Sequence, residues 1–172
     1  MSAIPDFVKM NDSLPGDYVV RFNEYMDRLY EIYKSEVAYG GLTFRGLKVQ
    51  CQFRPETYGK HYAFWHMMQE GKPGSRYEDD RNIDPERCRR VRWIAWCLKN
   101  AQDNEHIRVF PQNKRYGNQP WALWLYKNDY VVILWERKGY YLLKTAYMVT
   151  YKNTRRVLER DWIAYQKRLG SP

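Results

Sequence analysis

The chain has 172 residues and a mass of 21.0 kDa; 44% of it is hydrophobic, 17% aromatic, and 29 Lys and Arg against 20 Asp and Glu leave a net charge of +9. That length suits one domain, with room at most for an extra arm, and is short for two enzyme domains of ordinary size. No apolar stretch approaches the roughly 20 residues of a membrane-spanning helix, and seven Trp, sixteen Tyr and six Phe are too many to remain in water as in a disordered chain. The first residues show neither a basic n-region nor an apolar h-region of a leader. Cys51, Cys88 and Cys97 form no CxxC pair and no metal-ligand cluster with the three histidines. The expectation is a cytoplasmic protein with reduced thiols and neither metal nor other cofactor.

Residues 1–16 lack periodicity and read as an extended lead. From Asp17 to about residue 37, Val20, Tyr25, Leu29, Ile32 and Tyr33 recur at helical steps, and Gly40-Gly41 ends the run. Residues 42–53 read as a hairpin turning at Arg45-Gly46. Residues 55–81 hold several Gly and Pro, the acidic patch Glu78-Asp79-Asp80 and the cluster His61-Tyr62-Ala63-Phe64-Trp65-His66. They read as a short element between loops. Asp84-Pro85-Glu86 supplies an N-cap, a proline at the first helical position and an acid at the positive helix end. The pattern predicts one helix from there to about residue 101, with Cys88, Val91, Ala95 and Leu98 on one stripe and Arg89, Arg92, Trp93 and Trp96 on another.

Strands are predicted over 107–110, 120–126, 130–135 and 140–149, the middle ones apolar on both sides and so fit to be covered. A final helix over 151–169 carries Leu158, Trp162, Tyr165 and Leu169 on one side. The fold class that follows is α+β: a curved four-stranded antiparallel meander with packed helices, preceded by an N-terminal helix and hairpin. Charge divides the chain unevenly. Residues 1–40 sum to −3, residues 41–104 to +4 and residues 105–172 to +8. We therefore read 1–40 as an N-terminal arm with an acidic helix and 41–172 as a basic domain, whose natural ligand is a polyanion such as RNA.

Three groups of residues can carry chemistry. His61 and His66 are two imidazoles able to exchange protons near neutral pH, beside the cation Lys60; they are equally readable as polar partners of a core built on Phe64 and Trp65. The run of residues 87–93 holds four arginines, of which Arg89 and Arg92 share a face with Trp93. Guanidinium groups fork around phosphate and indoles stack on unpaired bases, though a solvated basic face over buried tryptophans fits as well. On the last strand, alternation places Tyr141, Leu143, Thr145 and Tyr147 on one face and Lys144 on the other. Thr145 and Tyr147 are then spaced to bind one phosphate, and Lys152, Arg155 and Arg156 follow in the first turns of the last helix.

In this order the motifs resemble the BECR superfamily of ribonucleases, which groups barnase, EndoU, the tRNA-cleaving colicins and RelE-type toxins, and are most similar to its phage- and prophage-associated branches. The resemblance spans roughly residues 42–168 and is carried by Lys60-His61, Phe64-Trp65-His66, the arginine run of 87–93 and the Tyr-Leu-Leu-Lys-Thr-Ala-Tyr of 141–147. It implies a metal-independent endoribonuclease on a four-stranded antiparallel sheet with helices at one side. Carried over by position, it implies His61 or His66 as base and acid, Arg89 or Arg92 on the phosphorane, and Thr145 with Tyr147 on the scissile phosphate. Lys60, Trp93, Lys152, Arg155 and Arg156 would hold RNA. Some branches lack a catalytic histidine. The implied role is a toxin or phage effector cleaving RNA through its 2′-hydroxyl, with a cognate antitoxin or immunity protein as a further partner. The alternative is a non-catalytic RNA- or protein-binding module on the same fold, including a phage-encoded inhibitor of a host protein.

Overall fold

Asp17 starts the first helix by accepting a hydrogen bond from the Val20 amide on its carboxylate. In the computed structural model, which describes residues 2–71, 81–102 and 105–170, helix α1 covers Tyr18–Ile32 and runs into a π-helical segment, Tyr33–Ala38. Along this run Tyr25, Leu29, Tyr30, Tyr33 and Val37 point inward while Val20 stays exposed. The chain leaves this helix at Gly40, where a Cβ would stand 2.1 Å from the Glu36 carbonyl oxygen. Only glycine fits there.

Strands β1 (Thr43–Phe44) and β2 (Leu47–Gln50) form the expected hairpin, but it does not stand apart from the sheet. The later strands are β5 (Ile107–Pro111), β6 (Gln119–Leu125), β7 (Tyr130–Arg137) and β8 (Tyr140–Met148). They make the predicted antiparallel meander, and β2 joins β8 in parallel, Lys48 opposite Tyr140 and Gln50 opposite Leu142. The expectation of four antiparallel strands is thus corrected to a six-stranded mixed sheet, ordered β1-β2-β8-β7-β6-β5 and curled into a half-barrel. Between the hairpin and the meander lie α2 (Tyr62–Met68), a small antiparallel pair of β3 (Gln69–Gly71) with β4 (Arg81–Ile83), then α3 (Pro85–Arg89) and α4 (Val91–Asn100). The acidic patch Glu78-Asp79-Asp80 lies outside the described residues.

Helices cover both faces of the sheet, not one. Along β6, Trp121, Leu123 and Leu125 enter a core shared with α1 and α4, while Ala122 and Trp124 enter a second core under α5 (Lys152–Gly170). This double burial is why β6 and β7 read as unbroken apolar runs. The lead is extended and tied down: Tyr25 donates to the Val8 carbonyl, and the Trp93 indole donates to the Pro5 carbonyl at 2.9 Å. Among the described residues no helix is long and apolar enough to cross a membrane.

Candidate functional site

The site is set by an irregularity in β8. Ile133 of β7 faces Thr145 and its neighbour Leu134 faces Leu143, so Lys144 is the extra residue of the ladder and bulges. One extra residue reverses the phase of everything after it. Tyr141, Leu143 and Ala146 belong to the core under α1 and α4, whereas Tyr147 and Val149 belong to the core under α5. The alternation expected from sequence is corrected here: Thr145 and Tyr147 are not on the face of Tyr141 and Leu143. Instead Lys144, Thr145 and Tyr147 together line a cleft of about 380 Å³ between the sheet and the start of α5. Arg115, Gln112 and the half-buried Trp135 complete its sheet side, with the Lys144 ammonium 4.3 Å from the Trp135 ring centre. A second hollow of about 350 Å³ shares Tyr147 and Thr154 with the first and reaches Asp84, Glu86 and Arg87.

Arg87 holds the junction. Its Nη1 lies 2.7 Å from the Gln69 carbonyl oxygen, 3.2 Å from that of His66 and 3.3 Å from Thr145 Oγ1. Its Nε lies 3.4 Å from an Asp84 carboxylate oxygen, and the guanidinium sits 5.6 Å from the Tyr147 ring centre. Burial pulls the Arg87 pKa down and Asp84 opposes it; a guanidinium stays charged through any such shift. Burial pushes the Tyr147 phenol up, against the pull of Arg87 and Arg115, so it keeps its proton at neutral pH. Arg87 thus sits against Thr145 and the Tyr147 ring, and Tyr147 is where the two hollows meet. Arg87 lies within the arginine run, and one continuous helix over that run does not distinguish it from its neighbours. The helix breaks at Arg90, whose φ of −103° and ψ of 20° separate α3 from α4. Within α3, the residue three after the Asp84 cap faces β8.

The other sequence candidates occupy different places. Arg89 pairs with Glu86 at 3.3 Å and lies over the Phe7 ring, while Arg92 reaches Glu36 at 3.6 Å. Trp93 is only 6% exposed, its ring edge-on to Tyr130. Lys60 binds Asp27 of α1 at 2.7 Å and covers the Tyr30 ring. His61 caps α2 from inside an aromatic box: it stacks on Phe53 at 4.0 Å between centroids, stands edge-on to Tyr30, Tyr33 and Tyr39, and places Nδ1 3.2 Å from Tyr33 Oη. Burial lowers its pKa, Glu56 opposes and Lys34 assists. None of those box residues touches the Arg87 group. His66 is buried against Tyr62 at 4.3 Å and is tied to Arg87 through its own carbonyl. On α5, Lys152 and Arg156 are exposed, and Arg155 is paired with Asp129 over the Trp124 ring.

The structure therefore brings Thr145 and Tyr147 together with Arg87 and, along the same cleft, with Lys144, Arg115 and the first turns of α5. It does not bring His61, Lys60, Arg89, Arg92 or Trp93 to them. Such an arrangement can hold a phosphodiester by charge and by two hydroxyl hydrogen bonds. Among the described residues no three His, Cys, Asp or Glu side chains gather as metal ligands would. Compared with protein-family models, curated proteins and solved structures, the chain matches none of them.

Proposed function

We propose that the protein is a metal-independent endoribonuclease, acting as a toxin or phage effector, and that its chemistry takes place at the cleft wall formed by Arg87, Thr145 and Tyr147. The observation that carries this reading is the contact of the half-buried Arg87 guanidinium with Thr145 Oγ1 and the Tyr147 ring beside an open, cation-flanked cleft. In the reaction a ribose 2′-oxygen forms a bond to the adjacent phosphorus while the bond from phosphorus to the 5′-oxygen breaks. The 2′-proton passes to a base, the leaving 5′-oxygen takes a proton, and the products end in 2′,3′-cyclic phosphate and 5′-hydroxyl. Arg87 and Lys144 would offset the charge of the phosphorane. Thr145 would fix a phosphate oxygen, and the protonated Tyr147 phenol would donate toward the leaving group. His66 is our candidate base, as the histidine whose backbone carbonyl accepts a hydrogen bond from Arg87. An acidic antitoxin or immunity protein would fit over the same basic cleft.

The exposed Lys152 and Arg156 on α5 favour a second reading, a module that binds RNA without cutting it. One experiment separates the two. Purified protein is incubated with total RNA in EDTA and the new ends are sequenced, alongside Arg87→Lys, Tyr147→Phe and His66→Gln. We expect cyclic phosphate ends without added metal, and losses of about 10²–10⁴ in rate for a group that moves a proton. Cleavage that vanishes in EDTA and returns with a divalent ion would overturn the mechanism, as would wild-type rates in all three variants. RNA binding with no cleavage under any condition would establish the second reading.

A further inference from the structure

Three turns of this protein place a bulky residue and then a glycine at positive φ. They are Arg45-Gly46 (51° and 80°), Tyr58-Gly59 (50° and 71°) and Tyr116-Gly117 (49° and 78°). Tight hairpin turns of this hand favour Asn-Gly, because a large side chain in the left-handed region is strained. In two of the three the strain is matched by a contact within the chain. Arg45 lies over the Trp121 ring at 4.2 Å and donates to the Tyr141 hydroxyl, and Tyr58 stands edge-on to Trp65. Tyr116 is different. Its side chain is fully exposed, and among the described residues its ring enters no aromatic or cation–π pair. The turn itself is well formed, with Arg115 and Asn118 exchanging both backbone hydrogen bonds.

The turn is also placed at the cleft. Arg115 and Gln112 of the same loop line it, and Gln119 ties the loop to itself by donating to the Gln112 carbonyl at 2.8 Å. A solvent-facing aromatic ring on a strained backbone position thus follows directly on Arg115, the loop cation that lines the groove and suits phosphate. The geometry points to Tyr116 as a stacking platform for an unpaired nucleobase, with Arg115 on the neighbouring phosphate, so that the substrate class is single-stranded RNA. This rests on the ribonuclease reading and narrows it, since in a duplex the base faces are already covered by their neighbours.

The test measures binding of a short 2′-O-methyl oligoribonucleotide, which lacks the attacking hydroxyl and so cannot be cut, and of the same strand with its bases removed. Tyr116→Ala is expected to weaken binding of the intact strand by about 5- to 150-fold, the equivalent of about 1–3 kcal/mol for one stacked base. Tyr116→Phe should keep the affinity, and the base-free strand should not distinguish the variants. Tyr116→Asn should lose affinity as the alanine does while raising Tm, because Asn suits the left-handed position. Wild-type affinity in Tyr116→Ala, or an equal loss with the base-free strand, would overturn the platform. If Tyr116→Ala behaves as wild type and RNA is still cut, the platform falls and the nuclease reading stands. If the predicted losses appear but no RNA is cut, the platform stands and the nuclease reading falls. A wild-type protein that binds neither strand would end both.

Discussion

His61 is a neutral imidazole held between Phe53 and three tyrosines, and that setting makes it a source of pH-dependent stability. Its folded pKa lies below the ordinary value of 6.5, chiefly because burial disfavours the charged ring. The unfolded chain then binds the proton more readily, so stability is complete above about pH 6.5 and declines as pH falls through the window down to the folded pKa. Urea midpoints measured from about pH 7.5 to 5 should show this decline in the wild type and a shallower one in His61→Gln. Equal slopes would mean the ring is not desolvated. Ion pairing sets where the other sequence candidates stand. Histidine, lysine and arginine are the expected chemical residues, yet Lys60, Arg89 and Arg92 are answered by Asp27, Glu86 and Glu36. Those partners come from other turns or elements, and only the fold shows which cation is left facing the cleft.

At the level of elements, the local signals were legible and the joints were not. Periodicity, the Asp84 cap and the glycine turns marked the helices and the meander, because each rests on residues a few positions apart. The parallel pairing of β2 with β8 joins residues some ninety positions apart, and no period records it. The bulge at Lys144 carries no glycine or other turn residue; it arises from pairing with β7, and with it went the facing of Thr145 and Tyr147. Helix α5 shows the same dependence on context. It is largely polar and buries Leu158 fully, with Trp162 against Phe110 and Tyr165 against Trp121, plus the pairs of Glu159 with Arg108 and Asp161 with Gln112. Leu158→Ala should therefore cost about 2–5 kcal/mol locally. We expect hydrogen exchange to quicken along α5, with the amides of α1 and α4 little changed, and RNA binding to weaken because α5 is one wall of the cleft. An even loss of protection through the whole chain would show that α5 does not open as a unit.

Across the whole molecule, the charge of +9 is less informative than where its cations are already paired. On the side of α1, α3 and α4, Arg28, Lys34, Lys60, Arg89 and Arg92 each have a carboxylate within 4 Å, which offsets the charge of each of these five cations. Around the cleft and α5, Arg115, Lys152 and Arg156 are exposed and take part in no ion pair among the described residues. A polyanion approaching this protein is drawn to that side. Each phosphate contact made by such a cation releases counterions, and the logarithm of the binding constant should fall with the logarithm of salt by about 0.7 per single-strand contact. Arg115→Gln, Lys152→Gln and Arg156→Gln should each reduce that slope by about 0.7 when binding of an uncleavable single strand is titrated at several salt concentrations. Lys60→Gln and Arg92→Gln should leave it unchanged, since their charges are neutralised within the chain. The sequence expectation placed Lys60, Arg89 and Arg92 on the nucleic acid, and the salt slopes decide between the two. A slope that responds to Arg92 and not to Arg115 would put the RNA on the opposite side of the molecule, and the cleft would lose its claim to be the site.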